Sequence, residues 1–344
     1  MTEQTAPAHE IPLPKRDSDP PRTVYLAPDG STKRDLSPTD ISRAIQAGEG
    51  MLWLDLDITC RPHVAILEHV CNFHPLTIED TLNPNSRVKL EEYPGYLFMI
   101  VRGVRFFEST DDPYDLETFN LCFYLGKHFL VTVHAGRSEA VEAVADRVER
   151  SPDIMGRGVD RVAHSIMDAA VDAYFPLLDQ LDEFVDTLEH RVFEAFDKDA
   201  LRDIFGVKRT VLSLRRHLSP QREVFNILTN RPSALLSPES QVYFRDIYDH
   251  MLRINDSLET YRDLLSSTLD SYLAQVSNRL GMATKGLSLV ATVTLPFVIM
   301  SGMWGMNFDT IPLAHHASGF WILLGLQIAV GVALLGVLRI AKLV

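Results

Sequence analysis

The sequence predicts an α+β membrane protein with an N-terminal cytosolic α/β domain, a long helical stalk and two C-terminal transmembrane helices. Strand-like and helix-like patterns alternate through residues 23–157, which favours an α/β domain. The 40 residues from Gln241 to Leu280 contain no glycine or proline, which favours one long helix. Two stretches without a charged side chain follow, 19 residues at 286–304 and 22 residues at 317–338. Each is close to the ~20 residues that cross a bilayer as a helix.

The N-terminal part is predicted to hold a disordered tail followed by the α/β domain. Residues 1–22 contain five prolines and few large apolar side chains, so burial cannot offset the entropy of ordering them. The next 135 residues carry two predicted strands and a predicted helix: Met51–Leu56, Tyr96–Phe107 and, for the helix, Pro62–Phe73.

The clearest local signal in this domain is a β-hairpin. Two runs rich in β-forming residues, Phe119–Tyr124 and Phe129–His134, flank Gly126-Lys127. Glycine suits the first central position of a tight turn, so the turn is predicted at this dipeptide.

Residues 158–240 are predicted to form an antiparallel helical hairpin. Ten carboxylates lie between Asp168 and Asp199, and the helix predicted over Ala200–Leu228 is basic. Opposite charges on adjacent helices favour their pairing, although a simply solvated charged face remains the alternative for any single pair. The basic residues are Lys208, Arg209, Arg215, Arg216 and Arg222.

The stalk is predicted to run without interruption through residues 241–303 and to continue into the first membrane span. At ~1.5 Å per residue it is roughly 95 Å long. A loop (304–318) and a second transmembrane helix (319–340) follow. The stalk's apolar positions recur in steps of three or four, which predicts packing along its whole length: Ile247, Met251, Ile254, Leu258, Tyr261, Leu265, Leu269, Tyr272, Val276 and Leu280.

The distribution of basic residues predicts that both termini are cytoplasmic. Arg279 and Lys285 precede the first span, Arg339 and Lys342 follow the second, and the connecting segment has no Lys or Arg. A pair of buried core helices is the alternative to a membrane hairpin, but two such apolar stretches leave no polar face for water.

Charge and cysteine content exclude several classes of function. The chain has 33 Lys and Arg against 46 Asp and Glu, a formal charge of −13. This balance disfavours a nucleic-acid partner and favours a surface that handles cations. The three cysteines form no C-x-x-C pair, so neither a disulfide framework nor a zinc ribbon is expected.

A Gly-Met-Asn tripeptide, Gly305-Met306-Asn307, directly follows the first predicted span. In this position the sequence resembles the CorA family of divalent-cation (magnesium/cobalt) transporters of the two-transmembrane Gly-Met-Asn type. Three further strings carry the same resemblance, which covers about residues 50–340: His74–Asp80, Tyr243–His250 and Glu259–Asp263.

The resemblance implies a homopentamer in the bacterial inner (plasma) membrane, with five stalk helices forming a funnel and lining a pore, and second spans facing lipid. It implies passive Mg²⁺ uptake, with Co²⁺ and Ni²⁺ as further candidate ions, and no enzymatic activity. The Gly305-Met306-Asn307 oxygens are the expected selectivity filter. The expected pore-lining residues share one helix face, a pattern that ordinary helix packing also produces: Thr284, Leu287, Ala291, Leu295, Val298 and Gly302.

The same resemblance implies regulation by Mg²⁺ bound between protomers on the cytosolic side. The matching ligands are Asp80 and Asp246, with Glu79 as a second-site ligand. Asp172 is a further metal ligand carried over from the family. Loss of the ion is expected to leave carboxylates that repel each other, which loosens the interface and opens the pore.

Departures from the family pattern leave the preferred ion and the inner constriction open. Gly281 and Thr284 stand where the family often has Asn and Met, and the outer loop lacks its common glutamate while carrying His315-His316. Histidine binds zinc well, so a proton-coupled Zn²⁺ transporter of the same superfamily is the alternative. A membrane-anchored enzyme or sensor is a remote alternative, because His74, His134 and His164 lie in ordinary strand or helix contexts without a catalytic pattern.

Overall fold

A computed structural model describes residues 20–106, 116–194, 197, 199–231, 233–306, 311–313 and 316–340 of the chain. The chain divides into two compact units, one of residues 1–190 and 199–267 and one of residues 191–198 and 268–344. Most of the predicted disordered tail, residues 1–19, lies outside the described residues, and the first strand begins at Arg22.

A mixed sheet forms the centre of the first unit. Within the described residues it has seven strands in the order β2-β1-β3-β7-β6-β5-β4. The β3–β7 pair is parallel, and the other neighbours are antiparallel. The strands are β1 (Arg22–Leu26), β2 (Thr32–Arg34), β3 (Met51–Asp57), β4 (Lys89–Tyr93), β5 (Tyr96–Phe106), β6 (Leu116–Gly126) and β7 (Phe129–His134).

Five helices lie between the strands or directly after them in the described chain: α1 (Pro38–Ala47), α2 (Arg61–His69), α3 (Pro75–Leu82), α4 (Glu139–Arg150) and α5 (Val159–Asp172). Ile41 of α1 and Leu67 of α2 join Leu54 and Phe98 in one core cluster. α5 packs against β5, β6 and β7. Alternate strand residues are therefore buried on both faces, which explains the continuous apolar runs in β5 and β6.

The hairpin forms where predicted, but its turn is shifted by one residue. Gly126 is the last residue of β6 and pairs with Tyr96, so the connecting residues are Lys127 and His128. A Cβ atom at position 126 would lie 2.2 Å from the Phe129 ring. Glycine is therefore needed for the close approach of that ring rather than for the turn.

The helix α2 is shorter than predicted because the chain turns sharply after it. Asn72 adopts a left-handed conformation with φ of 55°, which a continuing helix does not allow. α2 ends at His69, whereas the sequence pattern extends the helix to Phe73.

The acidic segment forms two helices rather than one. α5 ends at Asp172, and α6 (Phe175–Glu194) begins after Ala173 and Tyr174. Pro176 has no amide hydrogen to donate to the carbonyl of Asp172, so a continuous helix would lose that bond. The break leaves Asp172 at the C-terminal end of α5.

The helices α7 (Ala200–Asn230) and α8 (Pro238–Trp304) run antiparallel in the first unit. The register is set by three contacts: Lys208 with Ser266, Arg215 with Glu259, and Ser219 with Asn255. Tyr261 of α8 donates to the Leu178 carbonyl of α6 at 3.1 Å, and α6 runs in the same direction as α8. α6 and α7 are thus antiparallel, but Arg215 pairs with a carboxylate of α8.

The helix α8 is continuous over 67 residues and includes the whole predicted stalk. Its predicted apolar seam is buried from Ile247 to Leu265, yet Val276 and Leu280 are 37% and 68% exposed. The prediction of packing along the whole length is therefore wrong for one chain, because the neighbours do not cover the end of the seam.

The second unit contains the last part of α8 and the helix α9 (Gly319–Ile340). Both are long and apolar enough to cross a membrane, and their apolar windows are almost entirely exposed in the chain. Gln327 of α9 donates to the Ser301 hydroxyl of α8 at 2.9 Å, and a Cβ atom at Gly331 would lie 2.7 Å from the Phe297 ring. These contacts hold the two helices side by side.

Candidate metal sites and ion pathway

The helix α3 presents Glu79 and Asp80 away from the protein core. Thr77 and Thr81 are buried, and the Thr81 hydroxyl lies 2.7 Å from the Tyr124 hydroxyl, which fixes the inner face of the helix. Glu79 is exposed and Asp80 is partly exposed. The helix therefore positions two carboxylates at the surface, where a cation can reach them.

Asp80 already has a cationic neighbour. The Lys89 ammonium at the start of β4 lies 2.6 Å from Asp80 Oδ2, and the Ser86 hydroxyl donates to Asp80 Oδ1 at 3.3 Å. The sequence pattern did not indicate Lys89, because the contact depends on how β4 folds back toward α3.

Asp246 lies on the outer face of α8. Its neighbours Phe244 and Ile247 are buried, which turns Asp246 outward. Within the described part of the chain, no hydrogen bond or ion pair joins Asp246 to Asp80. The two principal predicted ligands are thus not brought together within one chain. Asp80 pairs with Lys89, and Asp246 faces outward.

Asp172 belongs to a cluster that combines α5 with α8. One ligand atom each from Asp168, Asp172 and His250 lies within 4.8 Å of the others. His250 Nδ1 is 3.5 Å from Asp172 Oδ1, and this buried nitrogen has no hydrogen-bond partner. Burial is the main cause that raises the pKa of Asp168, and the nearby Asp246 carboxylate raises this pKa by a smaller amount.

Asp168 and His250 were not predicted as ligands from the sequence. Their signal is the helical spacing of four, which places His164, Asp168 and Asp172 on one face of α5 and Asp246 and His250 on one face of α8. The two faces form one site only because α5 lies against α8. The His164 Nε2 contact with the Tyr243 carbonyl at 3.2 Å shows that it does.

Electrostatics in this cluster favour uptake of a cation. Burial raises the pKa of Asp168, and the nearby Asp172 carboxylate raises it further, although His164 opposes the shift. Burial lowers the pKa of His164, which favours its neutral form. Two crowded carboxylates therefore lie near the His164 imidazole, whose neutral form is favoured. A divalent cation would relieve the repulsion between the carboxylates.

The predicted pore-lining face of α8 is exposed in the single chain. The residues partly covered in the second unit include Leu289, Val293, Phe297 and Met300, on the side that holds α9. Positions two residues away lie on the opposite side of a helix. That opposite side carries the predicted set, all exposed: Thr284, Leu287, Ala291, Leu295, Val298 and Gly302.

The tripeptide lies at the end of α8. Gly305 donates its amide hydrogen to the Ser301 carbonyl at 3.0 Å, and Met306 is 51% exposed. Asn307, the predicted main filter residue, lies outside the described residues. The Trp304 indole donates to the Pro312 carbonyl at 3.2 Å, so the end of α8 is joined to the segment that connects α8 with α9.

Comparisons with known proteins agree with this arrangement. Residues 48–339 match the family model described as CorA-like Mg²⁺ transporter protein. This chain belongs to that family. Its membership confirms the predicted fold class and the magnesium-transport assignment at the level of the family, whose members are divalent-cation transporters in membranes.

Similar proteins and structures extend over nearly the whole chain. A putative metal ion transporter, YfjQ of Bacillus subtilis, is 31% identical over 86% of this chain and 90% of its own length. The cobalt/magnesium transport protein CorA of Thermotoga maritima is 30% identical over 86% of this chain and 84% of its own. The complete structure of the CorA magnesium transporter from Methanocaldococcus jannaschii superposes with a TM-score of 0.79 at 20% identity, covering 94% of this chain and 98% of that one.

Proposed function

We propose that this CorA-family chain assembles as a homopentamer and forms a passive Mg²⁺ channel that internal Mg²⁺ closes. The observation that carries the proposal is the exposed six-residue face of α8, which lies opposite the side held by α9. One helix face cannot enclose a pathway, so several copies must meet along it. The outer side of α9 is then left for contact with membrane lipid.

The filter is proposed at Gly305, Met306 and Asn307. Mg²⁺ gives up its water reluctantly, so an entrance that holds the hydrated ion through neutral oxygens allows both binding and release. Rings of Leu287 and Leu295 would block the hydrated ion when they are close and admit it when they part. The membrane potential is worth about 4.6 kcal/mol per 100 mV for a dication, so uptake needs no ATP and no catalytic site.

The regulatory sites are proposed at Asp80 with Asp246, and at the cluster of Asp168, Asp172 and His250, with Glu79 supplied as a further ligand. The residues fit a divalent cation, because carboxylates suit Mg²⁺ and the unpartnered His250 nitrogen also suits Co²⁺ or Ni²⁺. The ion would supply positive charge between carboxylates of neighbouring protomers. Asp246 and the exposed pore face lie on the same continuous helix, α8, which connects the sensor to the pore.

The bacterial inner membrane, with both termini in the cytoplasm, is the proposed location, because basic residues flank the spans only on the two terminal sides. Transport of Zn²⁺ is the competing proposal. In the described part of the outer loop, His316 Nδ1 accepts the Ser318 amide hydrogen at 3.2 Å, so one of its two nitrogens serves the turn. His315 lies outside the described residues.

The test is ion flux into proteoliposomes that contain the full-length protein, with Mg²⁺ and Zn²⁺ measured side by side. We expect Mg²⁺ flux driven by membrane potential, and at least a tenfold loss of that flux in Asn307→Ala with the oligomer intact. Asp309→Asn is the matched control, since it alters a polar residue of the same loop outside the tripeptide. Zinc-only uptake driven by a pH gradient, or full Mg²⁺ flux in Asn307→Ala, would contradict the proposal.

A further inference from the structure

Several contacts hold the Lys89 side chain next to the Asp80 carboxylate. Its ammonium lies 2.6 Å from Asp80 Oδ2 and 2.9 Å from Glu91 Oε2. It also lies 5.4 Å from the centre of the Phe98 ring, on which it makes a cation–π contact. The side chains of Lys89 and Asp80 are only 27% and 32% exposed.

The backbone explains why this ammonium is fixed. Lys89 and Glu91 are two residues apart on β4 and therefore point to the same side of the sheet. Phe98 faces Glu91 across the antiparallel β4–β5 pair. The Tyr93 hydroxyl donates to Glu91 Oε2 at 3.1 Å, which orients the second carboxylate that holds Lys89.

The Asp80 carboxylate is thus occupied by a cation that belongs to the chain itself. A divalent cation bound at Asp80 would share this carboxylate with the Lys89 ammonium, which already contacts Oδ2. The two positive charges would repel each other at such short range, so the ion binds best when the ammonium moves away. When no ion is bound, the positive charge of Lys89 partly neutralises the Asp80 carboxylate. The repulsion between carboxylates that was expected after loss of the ion is therefore smaller.

We propose that Lys89 is a tethered competitor of the regulatory ion and sets the internal Mg²⁺ concentration at which the channel closes. This inference rests on the proposed function, in which Asp80 is part of the sensor. When internal Mg²⁺ is scarce, Lys89 pairs with Asp80 and stabilises the ion-free state. When Mg²⁺ is abundant, it displaces Lys89 toward Glu91.

The experiment measures Mg²⁺ flux into proteoliposomes at a series of internal Mg²⁺ concentrations, using full-length Lys89→Met. Because the pair is partly exposed, we expect the half-inhibiting concentration to fall roughly twofold to fivefold. Lys89→Arg retains a cation and should keep the half-inhibiting concentration near the wild-type value.

Lys127→Met is the matched control, because it removes the same charge from the exposed hairpin turn of the same unit. It should leave the half-inhibiting concentration unchanged. The Mg²⁺ concentration that gives half-maximal protection from protease is a second, independent measure of ion binding. If Lys89→Met does not fold, Lys89→Gln replaces it.

Asp80→Asn separates failure of this inference from failure of the proposed sensor. If Asp80→Asn raises the half-inhibiting concentration but Lys89→Met leaves it unchanged or raises it, the role of Lys89 is wrong and the sensor stands. If Asp80→Asn has no effect, the sensor assignment fails and the inference about Lys89 fails with it.

Discussion

Both ring nitrogens of His134 face acceptors inside the α/β domain, which favours the positively charged form of this side chain. Nδ1 lies 2.6 Å from the Gly136 carbonyl, and Nε2 lies 3.2 Å from Asp55 Oδ1. A carbonyl and a carboxylate only accept, so each nitrogen must carry a hydrogen. The pair connects the neighbouring parallel strands β3 and β7, and Thr132 donates to the same carboxylate.

This buried pair makes the stability of the domain depend on pH. Burial opposes both charges, but their attraction and hydrogen bonds outweigh it, so the pKa of His134 is raised and the pKa of Asp55 is lowered. The His134 contribution is complete below its unfolded pKa of about 6.5 and is lost as pH rises through the raised folded value. The Asp55 contribution is complete above about 3.9 and is lost as pH falls through the lowered folded value.

Replacing His134 by Gln should destabilise the protein by about 3–5 kcal/mol near pH 6, because Asp55 is left buried without its partner. The difference from the wild type should shrink as pH rises through the folded pKa of His134. Thermal unfolding of the full-length protein in detergent, followed between pH 5 and 9, measures this. His69→Gln, at an exposed position, is the control, and an equal loss in both variants would contradict the assignment.

Several residues acquire their roles only through the folded structure and could not be predicted from the sequence. His134 and His164 occupy ordinary strand and helix positions in the sequence, and only their surroundings give them partners. The spacing of four among Asp168, Asp172 and Asp246 with His250 is visible in the sequence, but it has meaning only once α5 lies against α8. Lys89 has no sequence signal at all, since its role follows from the pairing of β4 with β5.

At the scale of elements, Gln327 joins the two predicted membrane helices. It is the one amide side chain in α9, and it donates to Ser301, whose carbonyl accepts the Gly305 amide hydrogen. The bond therefore lies one helical turn before the Gly-Met-Asn tripeptide. An amide in hydrocarbon needs such a partner, and interhelical hydrogen bonds of this kind are worth about 0.6–2 kcal/mol.

Gln327→Leu and Ser301→Ala should each lower the stability of the full-length protein by about 0.6–2 kcal/mol. The double variant should lose little more than either single variant, because both remove the same bond. Thermal unfolding in detergent of all four proteins gives this double-mutant cycle, and Mg²⁺ flux at low internal Mg²⁺ shows whether the end of α8 is still positioned. Additive losses would show that the two residues do not act together.

Elements were predictable where one local signal dominates. The absence of glycine and proline from 241 to 280 indicates the stalk, and α8 extends beyond it at both ends. The boundary between α5 and α6 was missed because the charge pattern continues across it, although Pro176 marks it. The hairpin turn was predicted one residue too early, because Gly126 was taken as a turn residue. This glycine instead leaves room for the Phe129 ring, and turn preferences do not describe that contact.

At the scale of the whole molecule, contacts among the described residues of one chain do not complete the proposed roles of two sets of groups. The described carboxylates Asp80 and Asp246 are not joined to each other, and the apolar face of α8 opposite α9 is exposed. Both sets are explained if neighbouring copies supply the missing contacts. The sequence alone indicated the family and the membrane spans. A contact between copies leaves no periodic pattern in the sequence of one chain, so assembly was predicted only from the family resemblance.

Asp246→Lys tests this assembly, because it places a fixed positive charge where the proposed regulatory ion binds between copies. The variant should need at least tenfold more internal Mg²⁺ for half-inhibition, since the ion meets repulsion instead of a ligand. Mg²⁺ should protect the wild-type protein from protease, and this protection should be lost in the variant while the proposed oligomer remains intact by light scattering. Asp256→Lys makes the same charge change at another exposed position of α8 and should retain the wild-type response. Unchanged inhibition and protection in Asp246→Lys would place the sensor away from α8.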